Sequence, residues 1–149
     1  GMYMREARLD IAKMVEDGYS NADGDIFQLL EIPANTLVLF AGAEVETAFN
    51  GTSPTVDIDF AAGDDIVDGG DVTSTGFLAS GTNGQTMLVN TGAANTFTAH
   101  VTTTDTIDVK LIAGSADVTS GILRVIACCI DTGKRGRVAP TEVDRDLLA

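Results

Sequence analysis

The sequence is poor in aromatic side chains, and three residue types are rare or missing. It has no tryptophan, one histidine and two cysteines, and aromatic residues make up 5% of its 149 positions. So few rings disfavour a surface that binds sugars or single-stranded nucleic acid by stacking. Cys128 and Cys129 are adjacent, so they point to opposite faces of an extended segment. They predict two small buried side chains rather than a disulfide or a metal site.

Positive charge is missing from the middle of the chain. Residues 14–109 include fifteen acidic residues and no lysine or arginine, and the formal net charge of the sequence is −13. Such a body repels phosphate, so a nucleic-acid partner is not expected. No apolar run approaches the ~20 residues that span a bilayer, and no signal-peptide pattern opens the chain, so a membrane partner is not expected either.

The longest alternating stretch covers residues 36–49, TLVLFAGAEVETAF. Its odd positions form a largely apolar row, which predicts one long strand with that row facing the core. Val38 and Phe40, at even positions, are apolar as well. We therefore expect the first half of the strand to be covered on both faces, with a bulge or bend at Gly42.

Further segments with strand-like patterns are separated by Gly, Asn and Thr turns, at residues 25–32, 55–60, 86–90, 96–102, 106–112 and 121–130. This organisation predicts an all-β fold, an antiparallel β-sandwich or jelly roll in a single domain with extended N- and C-terminal arms. The sandwich is expected at residues 25–131, the N-terminal arm at residues 1–24 and the C-terminal tail at residues 132–149.

Two segments have no clean strand pattern. Residues 2–15 fit either a helical stripe or an extended arm, and the arm is preferred because a helix this short is marginal without packing. Residues 61–80 are rich in Gly and Asp and predict a long irregular loop. This loop is expected to face solvent.

The last predicted strand is apolar on both faces. Leu123, Val125 and Ala127 alternate with Ile122, Ile126 and Ile130. A sandwich needs one apolar face per strand, so the excess predicts burial against another subunit. We expect a homotrimer, whose interface candidates are Val38, Phe40, Ile122, Ile126 and Ile130.

Few residues are typical of a catalytic or metal site. Asp57 and Asp59 lie two apart on one strand face, roughly 6–7 Å from each other, which is near the spacing of paired glycosidase carboxylates. An acidic row on a solvated face is the commoner meaning of that pattern. The acidic cluster at residues 64–71 offers oxygen ligands for Ca²⁺, but a solvated loop is favoured there as well. With His100 isolated and no nucleotide-binding or nucleophile motif, we expect no enzyme activity, cofactor or metal.

Three segments resemble a set of small structural proteins of tailed bacteriophages. They are DIFQLLEIPANTLVLFAGAEVETAFNGTSPTVDIDF at residues 25–60, GFL at 76–78 and TDTIDVKLIAGSADVTSGILRVIACCID at 104–131. The proteins they resemble are capsid decoration (cement) proteins and other head-associated β-sandwiches. The resemblance implies a structural role on the capsid surface after synthesis in the host cytoplasm, a major capsid protein as partner, and no catalytic residues.

Basic residues near both ends are the candidates for capsid contact, because irregular arms suit segments that order on binding. These candidates are Arg5, Arg8, Lys13, Lys134, Arg135 and Arg137. An alternative function is a head-fibre or tail adhesin module that binds host-surface glycan through its loops.

Overall fold

A computed structural model describes residues 1–19, 21–60, 64–78 and 99–133 of the chain. The elements are β1 (Met2–Asp10), α1 (Ile11–Glu16), β2 (Ile26–Ile32), β3 (Thr36–Thr47), β4 (Thr55–Asp59), β5 (Val67–Asp71), β6 (Gly76–Phe77), β7 (Ala99–Val101), β8 (Asp105–Ile112) and β9 (Ile122–Asp131). None of the helices in these ranges has the length and apolar character needed to cross a membrane.

Two antiparallel sheets pack face to face around one hydrophobic core. The five-stranded sheet has the order β1-β9-β3-β6, with β7 also paired to β3, and the four-stranded sheet has the order β2-β8-β4-β5. Both sheets supply fully buried side chains, such as Val45 and Leu123 from the first and Ile58 and Val109 from the second. The all-β sandwich predicted from alternation and turns is therefore confirmed. The strands β2, β4, β8 and β9 lie where the sequence predicts them.

Strand β3 contains a bulge that changes which residues face the core. Its register against β9 shifts between Val38 and Phe40, so Leu39 is the extra residue. One inserted residue reverses the alternation of faces. Consequently Val38 is fully buried, and the core-facing row moves to odd positions only from Ala41 onward. The expected bulge at Gly42 and the place of Val38 among the interface candidates are both wrong.

The N-terminal residues are part of the sandwich and not an arm outside it. Strand β1 is extended, as expected, but it pairs with β9 from Met2 to Asp10. Leu9 is buried, and the following residues turn into α1, with the Asp10 carboxylate accepting the Lys13 backbone N–H at 3.2 Å. Ile11 of that helix is fully buried. Tertiary packing therefore stabilises a helix that would be marginal alone, and the predicted domain start at residue 25 is too late.

The segment expected as a long irregular loop contains two short strands. Strand β5 pairs with β4, and β6 pairs with β3 at Glu44 and Val45. Glycine-rich, acidic sequence gives little strand signal, and these pairings depend on partners elsewhere in the chain. The predicted strand at residues 86–90, residues 96–98 of that at 96–102, and the tail at 134–149 lie outside the described residues, whereas β7 lies within the predicted strand at 96–102.

Candidate interaction surface

One end of the outer face of the five-stranded sheet is apolar. The strand register places Met4, Cys128 and Phe40 side by side across β1, β9 and β3. A second row, formed by Met2, Ile130 and Leu37, lies on one side of the first, and Ile126 lies on the other side. We call these seven residues the apolar patch: Met2, Met4, Leu37, Phe40, Ile126, Cys128 and Ile130.

The apolar patch is open to solvent in a single chain. Met2 and Met4 are 68% and 58% exposed, and the other members are partly exposed. A contiguous apolar surface of this kind marks interaction sites in soluble proteins. Three of the predicted interface candidates, Phe40, Ile126 and Ile130, lie together in it. Ile122 is on the same face at the far end, paired with Asp10 and Thr47.

The rest of this face carries a cluster of ion pairs. Arg8 Nε lies 2.8 Å from Glu46 Oε2, and Arg124 Nη1 lies 3.2 Å from Glu6 Oε2. Arg124 also pairs with Glu44, and its Nε lies 3.5 Å from Glu46 Oε1. We call these five residues the ion-pair cluster. Two guanidinium groups against three carboxylates leave it with one net negative charge.

Hydrogen bonds shift the pKa of three members of the ion-pair cluster in the direction that favours the charged form. The hydrogen bond from Arg8 keeps the pKa of Glu46 below its ordinary value and raises the pKa of Arg8 itself. The hydrogen bond to Glu44 similarly raises the pKa of Arg124. Because these groups are solvated, each pair contributes little to folding stability. The residues of the cluster come from β1, β3 and β9, so no local sequence pattern predicts it.

The basic residues expected to contact a capsid have different environments. Arg8 is held in the ion-pair cluster, whereas Arg5 lies on the inner side of β1. The Nε of Arg5 is buried and has no hydrogen-bond partner among the described residues. Lys13 is exposed on α1. Lys134, Arg135 and Arg137 lie outside the described residues.

The outer face of the four-stranded sheet is acidic. It carries Asp57 and Asp59 on β4, with Asp68 and Asp71 exposed on the adjacent β5. Burial raises the pKa of Asp59, whereas hydrogen bonds from the Thr73 hydroxyl and backbone N–H lower the pKa of Asp71. This charge distribution gives the sandwich two unlike faces.

The two aspartates on β4 accept hydrogen bonds from backbone N–H groups. Asp57 Oδ1 accepts the Gly69 N–H at 2.8 Å, and Asp59 Oδ1 accepts the Phe60 N–H at 2.6 Å. The bond from Gly69 links β5 to β4, and the bond from Phe60 is local to the end of β4. Within the described ranges, no three His, Cys, Asp or Glu side chains come together as a possible metal site.

A groove of about 730 Å³ has two walls, one formed by α1 and the end of β1 and the other by the edge strand β2. Leu9, Met14, Phe27 and Leu29 line its apolar part, and Tyr19 is 62% exposed at its border. No sequence pattern indicates this groove, because one of its walls comes from the predicted arm and the other from the predicted sandwich. His100 is exposed, and its Nε2 lies 2.9 Å from the Thr132 hydroxyl.

Comparison with known proteins gives one structural likeness. No model of a known protein family matches the chain, and no curated protein matches it. Among solved structures, it is similar to a chain of the acidic stable capsid structure of Helicobacter pylori bacteriophage KHP30, with a TM-score of 0.41 and 14% sequence identity. The match covers 87% of this chain and 90% of that chain. A likeness of this size says nothing about function, which therefore rests on the chain's own residues.

Proposed function

We propose that this protein is a structural component of a bacteriophage virion that decorates the outer surface of the capsid and binds the major capsid protein. The observation that carries the proposal is the unlike character of the two sheet faces. One face has an exposed apolar patch beside paired charges, and the other is acidic and solvated. Such a body suits a protein that buries one side in an assembly and faces solvent on the other.

The resemblance of residues 25–60 and 104–131 to phage head proteins supports the same proposal. These segments build β2, β3, β4, β8 and β9, which carry most of both sheets. The resemblance therefore covers the framework of the fold and is not confined to a loop. The protein is accordingly proposed to act on the capsid surface, after synthesis in the host cytoplasm, and as a homotrimer.

A role without catalysis fits the described side chains. The Asp57 and Asp59 carboxylates accept backbone N–H groups, and burial raises the pKa of the Cys129 thiol, which disfavours the reactive thiolate. We propose no reaction for this chain, and no cofactor.

The test is binding of the purified protein to empty, expanded capsids that lack it. We expect it to sediment with the capsids in a saturable manner. The variant Asp68→Lys, on the acidic face, should bind as well as the wild type, because that face is expected to point to solvent. Absence of binding to capsids, together with binding to defined sugars on a glycan array, would instead support an adhesin module.

A further inference from the structure

The apolar patch also specifies a partner. We propose that copies of this chain associate with one another through the apolar patch, with the outer faces of their five-stranded sheets turned toward a common axis. The proposal concerns the isolated protein in solution. It deepens the homotrimer of the proposed function, and it can fail while capsid binding holds.

Charge identifies a second copy as the occupant. The chain carries a net charge of −13, so two copies repel each other over most of their surfaces. On the outer face of the five-stranded sheet, however, both arginines are already paired with glutamates of the same chain. This face is nearly neutral and needs no complementary charge from a partner. It is where two acidic bodies can approach with least repulsion.

Geometry points to the same arrangement. When the five-stranded sheets face a common axis, the four-stranded sheets lie on the far side of each copy. The acidic groups Asp57, Asp59, Asp68 and Asp71 are then as far apart as the assembly allows. Association would bury Met4, Phe40 and Ile126, which are only partly covered within one chain. Removal of this apolar area from water favours assembly.

The first experiment compares two isoleucine variants by light scattering and native mass spectrometry. Ile126→Asp changes the apolar patch, and Ile112→Asp changes a similarly half-buried isoleucine on the outer face of the other sheet. We expect the wild type and Ile112→Asp to be oligomeric. Ile126→Asp should weaken association at least ~100-fold, because it buries a charge without a partner. A wild type that stays monomeric at about 100 μM, where a stable oligomer would form, overturns the proposal.

A second pair of variants decides the matter if Ile126→Asp does not fold. Met4→Asp places the charge at a residue that is 58% exposed, where folding tolerates it, and Ile26→Asp is its control on the edge of the four-stranded sheet, at 48% exposure. Circular dichroism should show both variants folded. Met4→Asp should dissociate the oligomer and Ile26→Asp should not. Equal oligomerisation of the two contradicts an interface at the apolar patch.

The reactivity of the native Cys128 thiol provides a third test of the interface. It lies in the middle of the apolar patch, whereas Cys129 is fully buried in the core of the same chain. Maleimide labelling followed by peptide mass spectrometry should show Cys128 protected in the oligomer and modified at least ~10-fold faster after dissociation by Met4→Asp. Cys129 should remain unmodified in both. Fast labelling of Cys128 in the intact oligomer would place the interface elsewhere.

Discussion

At the scale of single residues, the acidic face contains two aspartates with opposite pKa shifts. Burial raises the pKa of Asp59, assisted by the neighbouring carboxylates of Asp65 and Asp64. The hydroxyl and backbone N–H of Thr73 lower the pKa of Asp71, with Thr73 Oγ1 2.6 Å from the carboxylate. Ionised Asp59 therefore opposes folding, and ionised Asp71 supports it.

Replacing each aspartate by asparagine should shift the thermal unfolding midpoint in opposite directions. The stability contributed by Asp59 is present below its unfolded pKa and is lost as pH rises through the higher folded pKa. Asp59→Asn should therefore raise the midpoint at pH 7, by about 1–3 °C because the group is only partly buried. The stability contributed by Asp71 is present above its unfolded pKa and is lost as pH falls through the lower folded pKa, so Asp71→Asn should lower the midpoint at pH 7.

Differential scanning calorimetry at pH 7 and near pH 3 checks both signs. Near pH 3 the two differences should shrink, because Asp59 is then largely protonated and part of the stability contributed by Asp71 is lost as pH falls toward its lowered pKa. Shifts of the same sign at pH 7 would contradict the assignment of burial to Asp59 and of hydrogen bonding to Asp71.

At the scale of elements, the alternation of apolar and polar residues predicted where most strands lie, but in β3 it did not predict which residues face the core. Strands β4, β8 and β9 alternate cleanly, so their core-facing residues could be read from the sequence. In β3 the bulge at Leu39 reverses the phase, and both rows around it are apolar. Hydrophobicity could not place the bulge, since either face of that half-strand offered a plausible core row.

The candidate surface was predictable only in part. Phe40, Ile126 and Ile130 stood out because they are apolar positions in excess of what one core needs. The ion-pair cluster did not, because Arg124 pairs with Glu6 and Glu44, which lie 118 and 80 residues away. Only the register of β1 and β3 against β9 brings these side chains together.

Strand β1 gives a prediction that separates a sheet strand from a detached arm. Deletion of residues 2–10 should lower the unfolding midpoint by about 10 °C or more, since it removes the buried Leu9 and the ladder along β9. The uncovered edge of β9 should also promote aggregation, which light scattering would detect. Deletion of residues 134–149, which the sequence predicts to lie outside the sandwich, is the control and should leave the midpoint nearly unchanged. A stable, soluble protein without residues 2–10 would restore the arm interpretation.

At the scale of the whole molecule, the two proposed contacts have opposite charge requirements. Self-association through the nearly neutral apolar patch is opposed by repulsion between acidic bodies. Capsid attachment is proposed to use the basic residues near the chain ends, of which Lys13 is exposed on α1 and Lys134, Arg135 and Arg137 belong to the tail. Salt screens both interactions between exposed charges. The two contacts should therefore respond to it in opposite senses.

Raising NaCl from about 50 mM to about 500 mM should strengthen self-association severalfold and weaken capsid binding at least ~10-fold. The first is measured by analytical ultracentrifugation without capsids, and the second by cosedimentation with empty capsids. Substituting glutamine for Lys134, Arg135 and Arg137 together should weaken capsid binding and reduce its dependence on salt, while self-association is unchanged. If this triple variant binds capsids with wild-type affinity and salt dependence, the tail does not carry the contact, and attachment must lie in the sandwich or at the N-terminal end.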